Sequence, residues 1–156
     1  MNASDPAAEA LEIVELQTED EFAAAYPVMH ELRDHLNQDA YQRLLVRMRE
    51  AGYKMFAAQR DGRMVALAGV GFGTNFYYGR YLWVYDLITT ESERSHGYGK
   101  ALLDHLEALA REQRCHTIAL SSAMRRGDAH RFYEEKASYE RTGYTFVKDL
   151  RSEAGD

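Results

Sequence analysis

Apolar residues recur at helical spacing in the first third of the chain. Thr18 and Glu21 have the spacing of a capping box, which predicts that a helix begins there. Pro27 lies inside this helix and predicts a bend or a break, because proline has no backbone N–H to donate. The residues expected on the inward face are Phe22, Ala25, Met29, Leu32 and Leu36.

The same spacing predicts further helices. One covers residues 39–51 and ends at Gly52, a usual helix terminator. Another follows Lys100, and a short one covers residues 129–133. Their apolar faces would carry Tyr41, Leu44, Leu45 and Met48, then Leu102, Leu103, Leu106, Leu109 and Ala110, and last Ala129, Phe132 and Tyr133.

Runs typical of strands fill much of the remaining chain. The dipeptide Asp61-Gly62 between two such runs predicts a tight hairpin. Residues 81–89 are apolar on both faces apart from Asp86, which is typical of a central strand covered on both sides. Residues 73–80 are predicted to form a loop. The other predicted strands are residues 11–17, 53–59, 64–72, 115–121 and 145–150.

This order of elements, β-α-α-β-β-β-α-β-α-β, predicts an α+β fold with one mixed sheet and helices on both faces. A chain of 156 residues has the length of one domain, which we place at residues 11–150. Residues 1–10 are small and polar, so we expect a frayed or disordered N-terminus.

Composition excludes several classes of function. The chain has 19 Lys and Arg against 25 Asp and Glu, a net charge of −6, so nucleic acid is not an expected partner. The single cysteine, Cys115, can form neither an internal disulfide nor a thiolate metal cluster. No metal is expected, because His30 and His35 have no companions at metal-ligand spacing. Without a secretory signal or an apolar run near the ~20 residues of a membrane helix, we expect a cytoplasmic protein with no membrane partner.

A glycine-rich loop between a predicted strand and a predicted helix is the sharpest motif. Its glycines permit positive φ and the close approach of an anion, and the first helical turn offers free N–H groups. The glycines alone would favour a plain turn, but the flanking strand, helix and cations favour an anion site. The loop fits neither the Walker A pattern nor GxGxxG. Its residues are Arg94, Ser95, His96, Gly97, Tyr98, Gly99 and Lys100.

This loop resembles the acetyl-CoA loop of the GNAT (Gcn5-related N-acetyltransferase) superfamily, Q/R-x-x-G-x-G/A, which Arg94, Gly97 and Gly99 match. Residues 86–90 (DLITT) resemble the strand that leads into the loop, and residues 129–133 (AHRFY) resemble the late A-x-x-F-Y helix. The resemblance covers most of the chain. It implies a mixed, mostly antiparallel sheet flanked by helices, and acetyl-CoA as the co-substrate.

The resemblance also implies roles for individual residues. Backbone groups of Leu87, Ile88 and Thr89 would pair with the pantetheine arm, and the loop from Arg94 to Lys100 would hold the pyrophosphate. A backbone N–H near Leu87 would stabilise the oxyanion. Tyr133 would protonate the departing thiolate, since a phenol keeps its proton at neutral pH. Without the motif, simple packing would explain Tyr133 better.

The general base is open. Many relatives have a glutamate on the strand where this chain has Trp83. Asp86 is the only acid of that strand, and burial would make it a better base, although a structural hydrogen bond explains it equally well. Glu31, Asp34 and His35 are further candidates, and a chain of water molecules is another.

The acceptor is expected to be a small-molecule or peptide amine beneath the first two helices and the loop of residues 73–80. Trp83 and Tyr85 would offer flat surface and cation–π contact to it, and Glu31 and Asp34 would offer negative charge. The aromatic run at 76–78 is consistent with either a substrate lid or a homodimer contact.

These residues together predict an acetyl-CoA-dependent N-acetyltransferase in which a primary amine attacks directly. The alternative is a non-catalytic acyl-CoA-binding or regulatory domain. The missing glutamate at Trp83 keeps that alternative open, whereas the retained Tyr133 argues against it.

Overall fold

The computed structural model describes residues 11–121 and 127–151, except for the side chains of residues 127 and 128. The N-terminus predicted to be frayed, residues 1–10, lies outside this part. The chain forms two compact units, of which one ends at Leu120 and the other begins at Ser121. A single domain over residues 11–150 stays a prediction.

The elements follow in the order strand, two helices, three strands, helix, strand and short helix. They are β1 (Leu11–Glu15), α1 (Glu19–Leu32), α2 (Gln38–Glu50), β2 (Lys54–Arg60), β3 (Arg63–Asn75), β4 (Gly79–Thr89), α3 (Tyr98–Glu112), β5 (Thr117–Leu120) and α4 (Gly127–Arg131). A 3-10 turn (Glu91–Glu93) separates β4 from α3, and a π-helical turn (Phe132–Lys136) follows α4. In this described part of the chain, no helix is both long and apolar enough to cross a bilayer.

The start of α1 is the predicted capping box. The N–H of Glu21 donates to Oγ1 of Thr18 (3.1 Å), and the N–H of Thr18 donates to Oε1 of Glu21 (2.9 Å). The break predicted at Pro27 is wrong, because α1 continues through it to Leu32. Buried Ala25, Val28 and Met29 on both sides of the proline hold the helix to the core.

α2 begins one residue before its predicted start. Asn37 caps it by accepting the N–H of Ala40 (2.8 Å), and Gly52 follows its end with a φ of 101°. Tyr41 and Leu45 are buried as predicted. Leu44 is not, since 46% of it is exposed, so the inward face of α2 is narrower than the apolar pattern indicates.

The five strands form one sheet in the order β1-β2-β3-β4-β5. Neighbours are antiparallel except β4 and β5, which are parallel, so the sheet is mixed and mostly antiparallel as predicted. α1 and α2 cover one face, where Met55, Ala57 and Leu67 join their core. The next residue in register, Phe56, points to the other face and contacts His105 of α3.

Residues 73–80 are not the predicted loop. β3 runs on to Asn75 and β4 begins at Gly79, so these residues form a long hairpin. The side chain of Asn75 accepts the N–H of Tyr78 (2.6 Å), and Gly79 has the positive φ (71°) that the tight turn requires. The carbonyl of Tyr78 accepts a bond from the hydroxyl of Thr117 in β5 (3.0 Å), which fixes the tip to the sheet.

A β-bulge interrupts the pairing of β3 with β4. Gly69 pairs with Asp86, but the next residue, Val70, pairs with Val84, so Tyr85 is the extra residue of β4. A bulge bends its strand and redirects side chains. It lies immediately before the residues predicted to contact the pantetheine arm.

The last predicted strand, residues 145–150, does not form. This segment has no ladder of backbone hydrogen bonds among the described residues, and Phe146 and Val147 are 93% and 87% exposed. A run of apolar residues makes a strand only when its backbone has a hydrogen-bonding partner, which the sequence of the run itself cannot supply.

Candidate active site

β4 and β5 part beyond the middle of β4. β5 pairs only with residues 81–84, so residues 85–89 have no strand on that side within the described chain. On the other side, residues 86–89 pair with β3, and the N–H of Thr90 donates to the carbonyl of Val65 (2.9 Å). Hydrogen bonds alternate along an antiparallel pair, so Ile88 also turns its backbone groups towards β3. Leu87 and Thr89 turn theirs towards the open side.

Two of the three residues predicted to pair with the pantetheine arm therefore have a suitable backbone, Leu87 and Thr89. Ile88 does not, since its backbone faces β3 and its side chain is buried. The carbonyl of Thr89 accepts a bond from Nε of Arg94 (3.3 Å). The open edge of β4 thus offers the N–H and C=O of Leu87 and the N–H of Thr89.

The glycine-rich loop brings backbone N–H groups to the start of α3. Ser95 and Gly97 both adopt left-handed conformations, with φ of 72° and 81°. Left-handed residues in a turn can direct neighbouring N–H groups towards one side, which is an arrangement that favours anions. An added Cβ at Gly97 would have no atom within 4 Å, so the space in front of this glycine is open.

Side chains brace the loop rather than pointing into it. The buried Tyr98 accepts a hydrogen bond from Nη1 of Arg60 (3.0 Å). Oε1 of Glu93 lies 4.0 Å from Nη1 of Arg60, and its Oε2 lies 3.8 Å from Nη2 of Arg63. Both arginines belong to the β2–β3 hairpin. Tyr98 can therefore serve an anion only through its backbone.

Two further polar side chains of the predicted phosphate site, those of Lys100 and His96, also have neighbours. Nζ of Lys100 lies 2.6 Å from Oδ1 of Asp104, and this bond raises the pKa of the lysine. The ring of His96 lies 5.6 Å from that of Tyr98. The backbone N–H groups of the loop are thus what it offers to an anion.

Asp86 is the one buried charged residue among those described, with 8% of it exposed. Tyr53 donates to its Oδ2 (2.7 Å), and Nε of Arg33 donates to its Oδ1 (3.0 Å). Arg33 also donates through Nη2 to the carbonyl of Tyr85 (2.8 Å). Burial and the charge of Asp86 raise the pKa of Tyr53 well above its usual range, so its phenol is a permanent donor at neutral pH.

The predicted acceptor residues separate into two groups. Trp83 and Tyr85 lie on β4 at the bulge, and Tyr85 is 50% exposed. Glu31 instead faces the start of the glycine-rich loop: its Oε1 accepts the N–H of Glu91 (2.9 Å) and lies 4.0 Å from Nη2 of Arg94. Asp34 and His35 are exposed in the turn after α1.

Tyr133 lies in the second compact unit, in the π-helical turn after α4. Its ring contacts Phe132 and Tyr139, at centroid distances of 5.3 and 6.1 Å, and its carbonyl accepts the N–H of Tyr139 (2.7 Å). Its role as an acid stays a prediction.

Arg33, Tyr53 and Arg60 were missed by the sequence interpretation. No local signal pairs Arg33 with Asp86, because 53 positions separate them. The alternating glycines at 69, 71 and 73 are a signal that could have been used, since they mark a strand face where large side chains lie directly against the backbone.

Comparison with known proteins agrees with this geometry. Residues 11–139 match the Acetyltransferase (GNAT) family. The chain is 38% identical over 137 residues to the uncharacterized N-acetyltransferase YhdJ of Bacillus subtilis strain 168, covering 87% of this chain and 96% of that protein.

Solved structures share the fold at lower identity. The aminoglycoside N-acetyltransferase AAC(6')-Iy in complex with CoA has a TM-score of 0.78 at 14% identity, covering 90% of this chain and 95% of that one. The ribosomal-protein-alanine N-acetyltransferase of Brucella melitensis has a TM-score of 0.74 at 21% identity, covering 90% and 100%. From the family match and the curated relative, the chain belongs to the acetyltransferase (GNAT) family and is an N-acetyltransferase.

Proposed function

We propose that this protein transfers an acetyl group from acetyl-CoA to a primary amine that attacks directly. The observation that carries the proposal is the parting of β4 from β5 beside the start of α3. This arrangement offers an open strand edge for an extended amide-containing arm and N–H groups for a diphosphate, next to one another.

The residues present fit acetyl-CoA. Leu87 and Thr89 would hold the pantetheine arm through their free backbone groups, and residues 94–100 would hold the pyrophosphate. The left-handed Gly97 leaves room for an anion, which a side chain at that position would fill. Fold neighbours solved with CoA and with a CoA bisubstrate analogue support this assignment.

When bound, acetyl-CoA supplies the acetyl group as a thioester, whose C–S bond breaks as the amide C–N bond forms. The N–H of Leu87 would donate to the carbonyl oxygen as it gains negative charge. The hydroxyl of Tyr133 would deliver a proton to the departing sulfur. One proton must also leave the attacking nitrogen.

The predicted base for that proton, Asp86, has both carboxylate oxygens engaged by Tyr53 and Arg33. A general base needs a lone pair directed at the nitrogen, and these bonds direct two lone pairs elsewhere. We therefore propose that Asp86 acts by positioning the bulge of β4. The base would then be a water molecule or an exposed residue of the α1–α2 turn, Asp34 or His35.

The acceptor class follows the family. The fold neighbours include an aminoglycoside N-acetyltransferase and a ribosomal-protein-alanine N-acetyltransferase, so both small-molecule and protein amines are accepted on this fold. We propose a primary amine for this chain too.

Two measurements test the proposal. Acetyl-CoA at 100 times its dissociation constant should stabilise the fold by about 2.7 kcal/mol, seen as a rise in Tm. A panel of amines with acetyl-CoA should release free thiol in proportion to acetylated product. Binding of acetyl-CoA with no transfer to any amine would favour the non-catalytic alternative, and no binding would contradict both.

A further inference from the structure

One face of β3 carries glycine at three alternating positions, 69, 71 and 73. Alternate residues of a strand share a face, so from residue 69 to residue 73 this face of β3 has no side chains of its own. Rings from neighbouring segments lie directly against it. An added Cβ would meet the hydroxyl of Tyr53 at Gly69, the ring of Tyr85 at Gly71 (2.9 Å) and the hydroxyl of Tyr81 at Gly73.

Four rings of the β3–β4 hairpin make up what we call the aromatic shelf: Tyr78, Tyr81, Trp83 and Tyr85. Tyr78, Tyr81 and Trp83 contact one another at centroid distances of 5.9 to 6.3 Å. The ring of Tyr85 lies against Gly71, the residue that pairs with Trp83. Its centroid is 6.1 Å from that of the buried Tyr53. Because the hairpin tip is bonded to β5, the shelf is held in place rather than formed on binding.

The shelf ends at the proposed reaction site. Tyr85 is two residues from Leu87, whose N–H faces the open edge of β4. At about 3.3 Å per residue, this step spans roughly 7 Å, which is close to the length of an arylethylamine from the far side of its ring to its nitrogen. A ring on the shelf would therefore place such an amine beside Leu87.

The charges near the shelf do not favour a polycation. Asp86 is already neutralised by Arg33, and Glu31 accepts the N–H of Glu91 at the start of the loop. The guanidinium of Arg33, 40% exposed, lies against the carbonyl of Tyr85. A second ammonium group would meet a cation there before it met a free carboxylate.

We propose that the aromatic shelf selects acceptors whose primary amine is joined by a short chain to an aromatic ring, that is, arylalkylamines. This inference rests on the proposed acetyl transfer to amines and names its substrate class. Stacking and edge contacts with the shelf supply the affinity, and the bulge at Tyr85 directs the amine towards Leu87.

The test compares four amines at saturating acetyl-CoA, with free-thiol release as the readout: tryptamine, phenethylamine, n-hexylamine and spermidine. The two aromatic amines should exceed hexylamine and spermidine in kcat/KM by about tenfold or more, the worth of one or two ring contacts. Equal or higher values for hexylamine or spermidine would overturn the shelf proposal and leave the acetyltransferase assignment standing.

Substitutions on the shelf test whether the aromatic ring of the amine binds there. Tyr85→Ala and Trp83→Ala should reduce the ratio of tryptamine to hexylamine kcat/KM about tenfold with the acetyl-CoA KM unchanged. Tyr85 is half exposed, so its variant should fold even if Trp83→Ala does not. Gly71→Ala should act in the same direction by displacing the ring of Tyr85. Gly143→Ala is its matched control, since an added Cβ there meets nothing within 4 Å.

A preference for aromatic amines that survives Tyr85→Ala and Gly71→Ala would place the ring elsewhere and overturn the proposal. If acetyl-CoA gives no thermal shift, or no amine is acetylated, the proposed function fails and the shelf proposal fails with it. These outcomes are distinguishable because cofactor binding is measured separately from amine preference.

Discussion

Arg33 ties the end of α1 to the bulge of β4 through two neighbouring residues: its Nε donates to Oδ1 of Asp86 and its Nη2 donates to the carbonyl of Tyr85. The charge pair makes these bonds stronger than neutral ones, and the planar guanidinium fixes their relative direction. The backbone of Leu87 follows immediately, so its N–H is oriented by a contact outside its own strand.

Asp86→Asn should weaken this tie. We expect the free energy of unfolding to fall by about 1–3 kcal/mol, below the value for a fully buried pair because 40% of the Arg33 side chain is exposed. We expect kcat to fall about tenfold or more while the acetyl-CoA KM and the shape of the pH–rate profile stay as in the parent.

The pH–rate profile separates positioning from base catalysis. If Asp86 were the general base, its replacement would remove the acidic limb of the profile, and our positioning role would be wrong. Asp39→Asn makes the same chemical change in the first turn of α2 and should leave both kcat and the profile unchanged.

Gly97→Glu should abolish the thermal shift given by acetyl-CoA. The new side chain and its charge would occupy the open space where we place the pyrophosphate. The left-handed φ also adds strain of about 1–2 kcal/mol, so a control must carry the same strain. Gly62→Glu does so, because Gly62 has a φ of 74° and open space but lies in the β2–β3 turn. A thermal shift retained in Gly97→Glu would contradict the loop assignment.

Sequence pattern predicted the elements whose signals are local. The capping box of α1, the Asp61-Gly62 turn and the glycine-rich loop each depend on residues within a few positions of one another. The strand predicted at residues 145–150 failed because its formation depends on a partner elsewhere.

In the candidate active site too, features with a local sequence signal could be predicted and features that depend on distant residues could not. The backbone of Leu87 has no strand partner on one side because β4 and β5 part before this residue. The residue type of Leu87 gives no sign of this in the sequence. Trp83 and Tyr85 could be predicted as acceptor residues because aromatic residues are visible in the sequence. The engagement of Asp86 by Arg33 and Tyr53 could not be predicted, since both partners are distant in the chain. Glu31 was predicted to lie near the acceptor, and its carboxylate contacts the start of the glycine-rich loop instead. The position of a residue in a helix does not show which loop its side chain contacts.

Tyr133→Phe should lower kcat by about 10²–10⁴-fold while changing the dissociation constant of acetyl-CoA little, because the hydroxyl acts only when sulfur departs. Binding is followed by the thermal shift and turnover by thiol release. Tyr139→Phe is the matched control, as its ring neighbours that of Tyr133 and has no proposed proton to deliver. Equal losses in binding and turnover, or no loss in either, would count against the acid role.

Alkaline pH should destabilise the fold through its buried tyrosines. Burial, followed by the charge of Asp86, raises the pKa of Tyr41 to about 12, and the same two causes raise the pKa of Tyr53 well above its usual value. The unfolded chain releases these protons near pH 10 and the folded chain does not, so stability is full below about pH 10 and falls above it.

Tyr41→Phe tests that slope. Each such tyrosine costs up to about 1.4 kcal/mol of unfolding free energy per pH unit between roughly pH 10 and 12, so the variant should lose stability less steeply in urea titrations. At pH 8 the variant should be about 1 kcal/mol less stable than the parent, since the carbonyl of Phe22 loses the bond from Tyr41 (2.7 Å). Identical slopes in the two proteins would show that Tyr41 does not carry the effect.

Glu31 and Asp34 should affect different substrates, although both were first assigned to the acceptor. Glu31 accepts the N–H of Glu91 and lies near Arg94, so Glu31→Ala frees the start of the phosphate loop. We expect a rise of about threefold to tenfold in the acetyl-CoA KM, with the amine KM nearly unchanged. Asp34→Ala removes an exposed acid from the turn after α1, so it should leave the acetyl-CoA KM as it is and change only the amine KM. Steady-state kinetics with each substrate varied in turn gives all four constants. An increase confined to the amine KM in Glu31→Ala would return Glu31 to the acceptor site and show that its bond to the loop has no functional consequence.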